Sequence, residues 1–190
     1  MSDDTAGIAR LIAEKGLLHL DEPVRLRSGV MSSDFIDVKE ALADGADLEF
    51  VCRAFIATAE AAGVEFDTVG GMTMGADQFA YGIAILAAKR WFVVRKESKG
   101  RGTDKRIEGA ALGPDRRVLL VDDVVSMGGS IREAYELVRA TGATVAAAMS
   151  VVDRADAAEP FFRAERVPFR ALVTYRDLGI EPLRDGLVTA

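Results

Sequence analysis

A chain of 190 residues that is 49% hydrophobic is long enough for one domain with a buried core, and too apolar to be disordered. Its net charge of -6 argues against a broad nucleic-acid-binding face, while leaving room for a local basic pocket. The only cysteine is Cys52 and the only histidine His19, which excludes an internal disulfide and argues against a His-based metal centre or a catalytic triad.

No apolar run reaches the length of a membrane-spanning helix. The N-terminus, "MSDDTAGIARLIAEKG", is acidic and lacks the layout of a signal peptide, and the single cysteine makes a reducing cytoplasm the expected compartment. Within it, "DDTAGIARLIAEKG" predicts an amphipathic helix with Ile8, Leu11 and Ile12 on one side. "VRLRSG" and "DFIDV" read as two short strands around a Gly-Ser turn. "ADLEFVCRAFIATAEAAG" predicts a helix stopped by Gly63, and "FDTVGG" a strand ending in glycines. "DQFAYGIAILAAK" is a second long helix and "RWFVVRK" a core strand.

"RKESKGRGTDKR", residues 95–106, then places six basic residues among twelve, opposed only by Glu97 and Asp104. Beyond it, "RRVLLVDD" is a continuous apolar run typical of a strand buried on both faces. "SIREAYELVRATG" follows as a helix, "TVAAAMSVVD" as a strand, "AAEPFFRAE" as a short helix and "FRALVTY" as a last strand. Alternation of this kind implies an α/β fold, a mainly parallel sheet flanked by helices, with ligands at the C-terminal ends of the strands.

The stretch "VLLVDDVVSMGGSIREAYELV" concentrates the chemistry. Gly128 and Gly129 let backbone amides crowd a ligand, and Ser130 is a reasonable N-cap for the helix that follows. Amides at a helix N-terminus suit an anion such as phosphate. Asp122 and Asp123 are acceptors for vicinal hydroxyls or for metal-bound water. Phosphate amides beside diol acceptors describe a ribose 5-phosphate pocket. A plain strand-to-helix turn with solvated aspartates would share the local pattern. Neither GxxxxGK[ST] nor GxGxxG is present, which disfavours an NTPase loop or a dinucleotide fold.

The whole motif resembles the signature of type I phosphoribosyltransferases, and the chain is similar over nearly all its length to orotate phosphoribosyltransferase. "LRSGVMSSDFIDVKEAL" looks like that family's opening strand pair, "FDTVGGMTMGADQFA" like its pyrophosphate and base loop, and "FVVRKESKGRGTDKRIEGA" like its flexible catalytic loop. "SVVDR" ends the next strand in the family's manner.

The resemblance implies one phosphoribosyltransferase domain over 1–190, with residues 1–40 contributing an N-terminal helix and a small hood-like pair of strands. It implies transfer of the phosphoribosyl group of 5-phosphoribosyl 1-diphosphate (PRPP) to orotate. The expected cofactor is Mg2+, bound through PRPP and water near Asp122 and Asp123 rather than by direct ligands. The expected assembly is a homodimer with shared sites, the basic loop reaching into the partner's site; neither nucleic acid nor membrane is an expected partner.

Residue by residue, the resemblance assigns Arg95, Lys96, Lys99 and Arg101 to PRPP, together with Asp122, Asp123, Val124, Val125, Ser126, Met127, Gly128, Gly129 and Ser130. Lys99, Arg101 and Asp123 are the catalytic candidates, with Arg101 standing where many members carry histidine. Ser126, Arg154, Phe35 and Arg27 are assigned to orotate, Arg154 gripping its carboxylate. Departures cluster near the base: "SSDFID" is less aromatic than usual, Gln78 replaces a common proline, and Met127 replaces a small or hydroxyl residue. His19, Met72 and Met74 are expected to serve surface or packing. Two rival readings are a phosphoribosyltransferase for a purine base and a PRPP-sensing regulator. The regulator would want a DNA-binding segment or a basic face.

Overall fold

Strand β6 (Arg117–Val125) is the axis of the fold, and its sequence explains why. Val118, Leu119, Leu120 and Val121 are all buried, but they face opposite ways as strand geometry requires. Leu119 and Val121 join one hydrophobic cluster, Val118 and Leu120 the other. A strand buried on both faces belongs at the centre of a covered sheet.

The structure is a computed structural model that describes residues 3–26, 29–97 and 105–184. Six strands form the main sheet in the order β5-β4-β3-β6-β7-β8. They are β3 (Thr68–Met72), β4 (Arg90–Val94), β5 (Ile107–Gly109), β6, β7 (Thr144–Asp153) and β8 (Phe169–Thr174). All pairings are parallel except β4 with β5. From β3 the chain moves outward to β4 and β5, then returns to lay β6 on the other side of β3. The C-terminal ends of β3 and β6 therefore flank the switch point, where such sheets take their ligands.

One face of the sheet is covered by α1 (Asp3–Lys15), α2 (Val38–Ala41), α3 (Gly45–Ala61) and α4 (Asp77–Leu86), around Ile12, Phe55, Phe79 and Ile83. The other is covered by α5 (Gly129–Ala140) and α6 (Glu159–Ala164), around Ile131, Tyr135, Val138 and Phe162. Cys52 sits where α3 meets α4, and a Cβ on Gly82 would lie 2.5 Å from its sulfur. Burial pushes the Cys52 thiol pKa up to about 12, so it packs as a small hydrophobe. No helix among the described residues is long and apolar enough to cross a membrane.

The N-terminal strands differ most from the sequence reading. They form a separate two-stranded antiparallel sheet, β1 (Leu17–Arg25) with β2 (Met31–Ile36). β1 begins seven residues earlier than "VRLRSG" suggests. Its register slips between His19 and Val24, around Pro23, which has no N–H to give a ladder. Val38, read as the end of a strand, starts a helix instead, because the Asp37 carboxylate accepts from the amides of Lys39 (3.0 Å) and Glu40 (3.1 Å). β5, which the reading lacked, is a three-residue edge strand set by its pairing with β4 rather than by a pattern of its own. β6 continues through both aspartates to Val125, two residues past the end expected for it.

Candidate active site

A cavity of about 760 Å³ opens at the C-terminal ends of β3, β6 and β7. Its size suits a small phosphorylated substrate together with a base. Every residue from Asp122 to Ser130 lines it. The hairpin contributes Phe35, α2 contributes Lys39, the β3–α4 loop contributes Thr73, Met74 and Gly75, and Lys96 and Arg154 complete the polar wall.

At the start of α5 the chain turns through Gly128, whose φ of 78° lies in the left-handed region that favours glycine. Gly128 is the N-cap, and no side chain caps the helix. Ser130 is thus inside the first turn rather than the cap expected of it. The uncapped amides point their donors where an anion can take them. Below the loop the Arg132 guanidinium donates to the Ala157 carbonyl and stacks on Phe161, tying α5 to the segment after β7.

The two aspartates are held stiffly. Asp122 is 5% exposed and its Oδ1 accepts from the Asp123 amide at 3.0 Å. Asp123 Oδ1 accepts from the Val124 amide at 2.7 Å, and its Oδ2 meets Lys39 Nζ at 2.8 Å. Burial pulls the Lys39 pKa down; the hydrogen bond and charge of Asp123, with Asp37 and Asp122 nearby, outweigh it and raise the pKa overall. Gly75 faces the pair. A Cβ there would come within 2.6 Å of Oδ1 of both aspartates, so only glycine lets the β3–α4 loop close on them. Neither Lys39 nor Gly75 was singled out in the sequence. Glycine after "MTM" hinted at close backbone approach, but nothing local linked Lys39 to residue 123.

Across the cavity stands Arg154, 2% exposed. Its amide bonds the Val125 carbonyl (2.9 Å), and its own carbonyl accepts from Leu183 (2.9 Å), so its backbone is fixed. Nη1 donates to the Asp34 carbonyl at 3.2 Å. Nε and Nη2, the two-pronged edge, have no partner among the described residues. Burial pulls its pKa down and the nearby Asp34 opposes that; a guanidinium stays charged nonetheless. Asp34 itself is gripped by His19, whose Nδ1 lies 2.7 Å from Oδ1. Phe35 lines the wall at 39% exposure.

The remaining candidates divide. Lys96 lines the cavity, but Arg95 does not. Arg95 follows the end of β4, its amide bonds the Arg106 carbonyl (2.7 Å), and its guanidinium lies 3.6 Å from Glu108 of β5 instead. Arg106 rejoins the sheet by donating to the Arg95 carbonyl (2.8 Å) and to Glu133 (2.7 Å). Arg27, Lys99 and Arg101 lie outside the described residues. Met72 is packed, as expected, at 2% exposure. Met74, expected to pack, is 65% exposed on the cavity wall, because it follows the strand in a turn.

Residues 39–166 match the family model of the phosphoribosyl transferase domain. An orotate phosphoribosyltransferase of Streptomyces avermitilis is 35% identical over 187 residues, covering 95% of this chain and 100% of that protein. Among solved structures, Mycobacterium tuberculosis orotate phosphoribosyltransferase in complex with Fe(III) dicitrate superposes with a TM-score of 0.77 at 30% identity, covering 93% of this chain and 99% of the other. The same enzyme in complex with PRPP gives a TM-score of 0.74 at 28% identity, over 93% and 99% of the two chains.

Proposed function

The chain belongs to the orotate phosphoribosyltransferase family, within the phosphoribosyl transferase domain superfamily, and from that premise we propose that it transfers the 5-phosphoribosyl group of PRPP to orotate. The bond from ribose C1 to the diphosphate oxygen breaks, a bond from C1 to an orotate ring nitrogen forms, and orotidine 5'-monophosphate and pyrophosphate leave. The observation that carries the choice of base is Arg154. A nearly fully buried guanidinium whose Nε–Nη2 edge is unpaired, in the wall of a ribose-phosphate cavity, suits a planar carboxylate through two parallel hydrogen bonds. Purine bases and uracil lack that group.

The roles then follow from position. The amides of Val125 to Ser130 hold the 5'-phosphate, and Asp122 and Asp123 accept from the ribose hydroxyls. Val124 and Met127 complete that wall, and Ser126 and Phe35 on it serve the base, to which the resemblance also assigns Arg27. Lys96 on the cavity wall serves the departing diphosphate, a role the resemblance also assigns to Lys99 and Arg101, and cations there stabilise charge that develops only in the transition state. Hard carboxylate oxygens at Asp122 and Asp123 suit Mg2+ carried mainly by phosphates and water. When bound, Mg2+ neutralises the diphosphate.

Arg95, turned away from its own cavity, fits a loop that serves the neighbouring site of a homodimer. The whole chain then works as one domain in the cytoplasm, residues 1–40 forming its hood.

The test is a parallel assay of PRPP and Mg2+ with orotate, uracil, hypoxanthine and adenine. Orotate alone should be consumed at an appreciable rate; turnover of hypoxanthine or adenine in its place would overturn the reading. Mixing inactive Lys99→Ala and Asp123→Asn chains should restore some activity if the loop crosses the dimer, and exchange without recovery would return it to its own subunit.

A further inference from the structure

His19 is exposed, lies off the cavity wall and has no role in the chemistry above, yet it holds a residue on which the base end depends. It is the cross-strand partner of Asp34, at the last rung before the pairing of the hairpin slips. Its Nδ1 lies 2.7 Å from Asp34 Oδ1. An ionised carboxylate can only accept, so that nitrogen carries the proton and donates. The main-chain groups of Asp34 are engaged elsewhere. Its amide donates to the Ser32 hydroxyl (3.0 Å), and its carbonyl accepts from that hydroxyl (2.9 Å) and from Arg154 Nη1 (3.2 Å). Among the described residues the imidazole is the group in hydrogen-bond contact with the Asp34 carboxylate, and it fixes where that carboxylate points.

The second observation is Arg154. It is 2% exposed, and its Nε and Nη2 have no partner among the described residues. The Asp34 carbonyl already touches the guanidinium. The carboxylate hangs from the same Cα, so rotation about the Cα–Cβ bond carries it toward Arg154. Its charge is felt there, opposing the burial that pulls the Arg154 pKa down. Where His19 holds it, the carboxylate stays off the cavity wall, which Phe35 lines and Asp34 does not. Asp34 thus carries, on the chain itself, the same chemical group that Arg154 takes from the base. Freed from His19, it would neutralise a buried guanidinium and occupy its open donors, a strong pairing away from water.

We propose that His19 is a positioning residue for base recognition, which holds the Asp34 carboxylate away from Arg154 and so keeps the guanidinium open for the carboxylate of the substrate. The kinetic part rests on the functional reading above. The structural part, which of two partners the Asp34 carboxylate takes, does not.

The measurement is kcat with the KM for orotate and for PRPP in wild type, His19→Leu, His19→Asn, and His19→Leu combined with Asp34→Asn. His19→Leu should raise the KM for orotate roughly tenfold, the scale of one charge-assisted bond, with kcat and the KM for PRPP within about twofold. His19→Asn keeps an amide donor close to the place of Nδ1 and should stay near wild type. In the double variant the competitor is a neutral amide, a weaker partner for a guanidinium, and the KM should return most of the way. A hairpin simply loosened by the loss of His19 would not be repaired by a second lesion. An unchanged KM in His19→Leu, or a double variant as impaired as His19→Leu, would overturn the proposal. A crystal structure of ligand-free His19→Leu separates the two readings, and it should show the Asp34 carboxylate on Arg154. If wild type does not use orotate, the functional reading falls and that structure still decides the role of His19. A carboxylate that stays away from Arg154 there would overturn it.

Discussion

At the phosphate end of the cavity, nine consecutive residues from Asp122 to Ser130 continue a strand that is paired on both sides at Val118, Leu119 and Leu120. At the base end, Arg154 of the main-sheet region meets the Asp34 carbonyl of the hairpin across 120 positions of sequence. The strand under the first end is buried, whereas β1 of the hairpin is exposed or half-exposed throughout. On the proposed reading, phosphate and diol recognition lies in one stretch of backbone, while base recognition draws on two pieces distant in sequence. Perturbing the first end should act through glycines and main-chain shape. Perturbing the second should act through side chains and leave PRPP largely alone.

Gly75→Ala should have the largest effect. Its Cβ would press on both aspartates, forcing a displacement of order 1 Å, and misplacement on that scale costs roughly a hundredfold. The measurement is kcat/KM for PRPP alongside Tm; a variant with wild-type kcat/KM would show that the loop gives way without moving the carboxylates.

Arg154→Ala comes next and sharpens the contrast. Losing charge-assisted bonds worth about 1.5–3 kcal/mol should lower kcat/KM for orotate roughly ten- to a hundredfold, with PRPP affinity nearly unchanged. The preference for orotate over uracil should narrow with it. If PRPP binding falls as far as orotate use, the two ends are not separable.

Gly128→Ala should cost less. A non-glycine residue at φ 78° loses about 1–2 kcal/mol, which predicts weaker PRPP binding by roughly tenfold and a lowered Tm. Orotate discrimination should not change, and an altered orotate-to-uracil ratio would count against a phosphate-end role.

Ser32→Ala is the mildest test. The Ser32 hydroxyl donates to the Asp34 carbonyl (2.9 Å), the atom that Arg154 also uses, and accepts from the Asp34 amide (3.0 Å). Removing a bond worth about 0.5–1.5 kcal/mol should raise the KM for orotate a few-fold and leave the KM for PRPP alone. A matching rise in both would mean the hairpin supports the whole cavity.

Much was legible in the sequence because it was local. The run "VLLV" is typical of a strand covered on both faces, and Gly128-Gly129 before "SIREAYELV" reads as a tight entry into a helix; both readings use only a few consecutive residues. The strand β7 came out with its bounds, and Arg154 stood at its end as read. What the tertiary structure alone decided was which distant groups share a corner. Lys39 reaches Asp123, Gly75 closes on two carboxylates, Arg154 borrows the Asp34 carbonyl, and Arg95 turns to Glu108 rather than to the cavity. None of these has a periodicity or a spacing, because each depends on the sheet order that sets β3 beside β6 and on where the hairpin and its short helix come to rest against them.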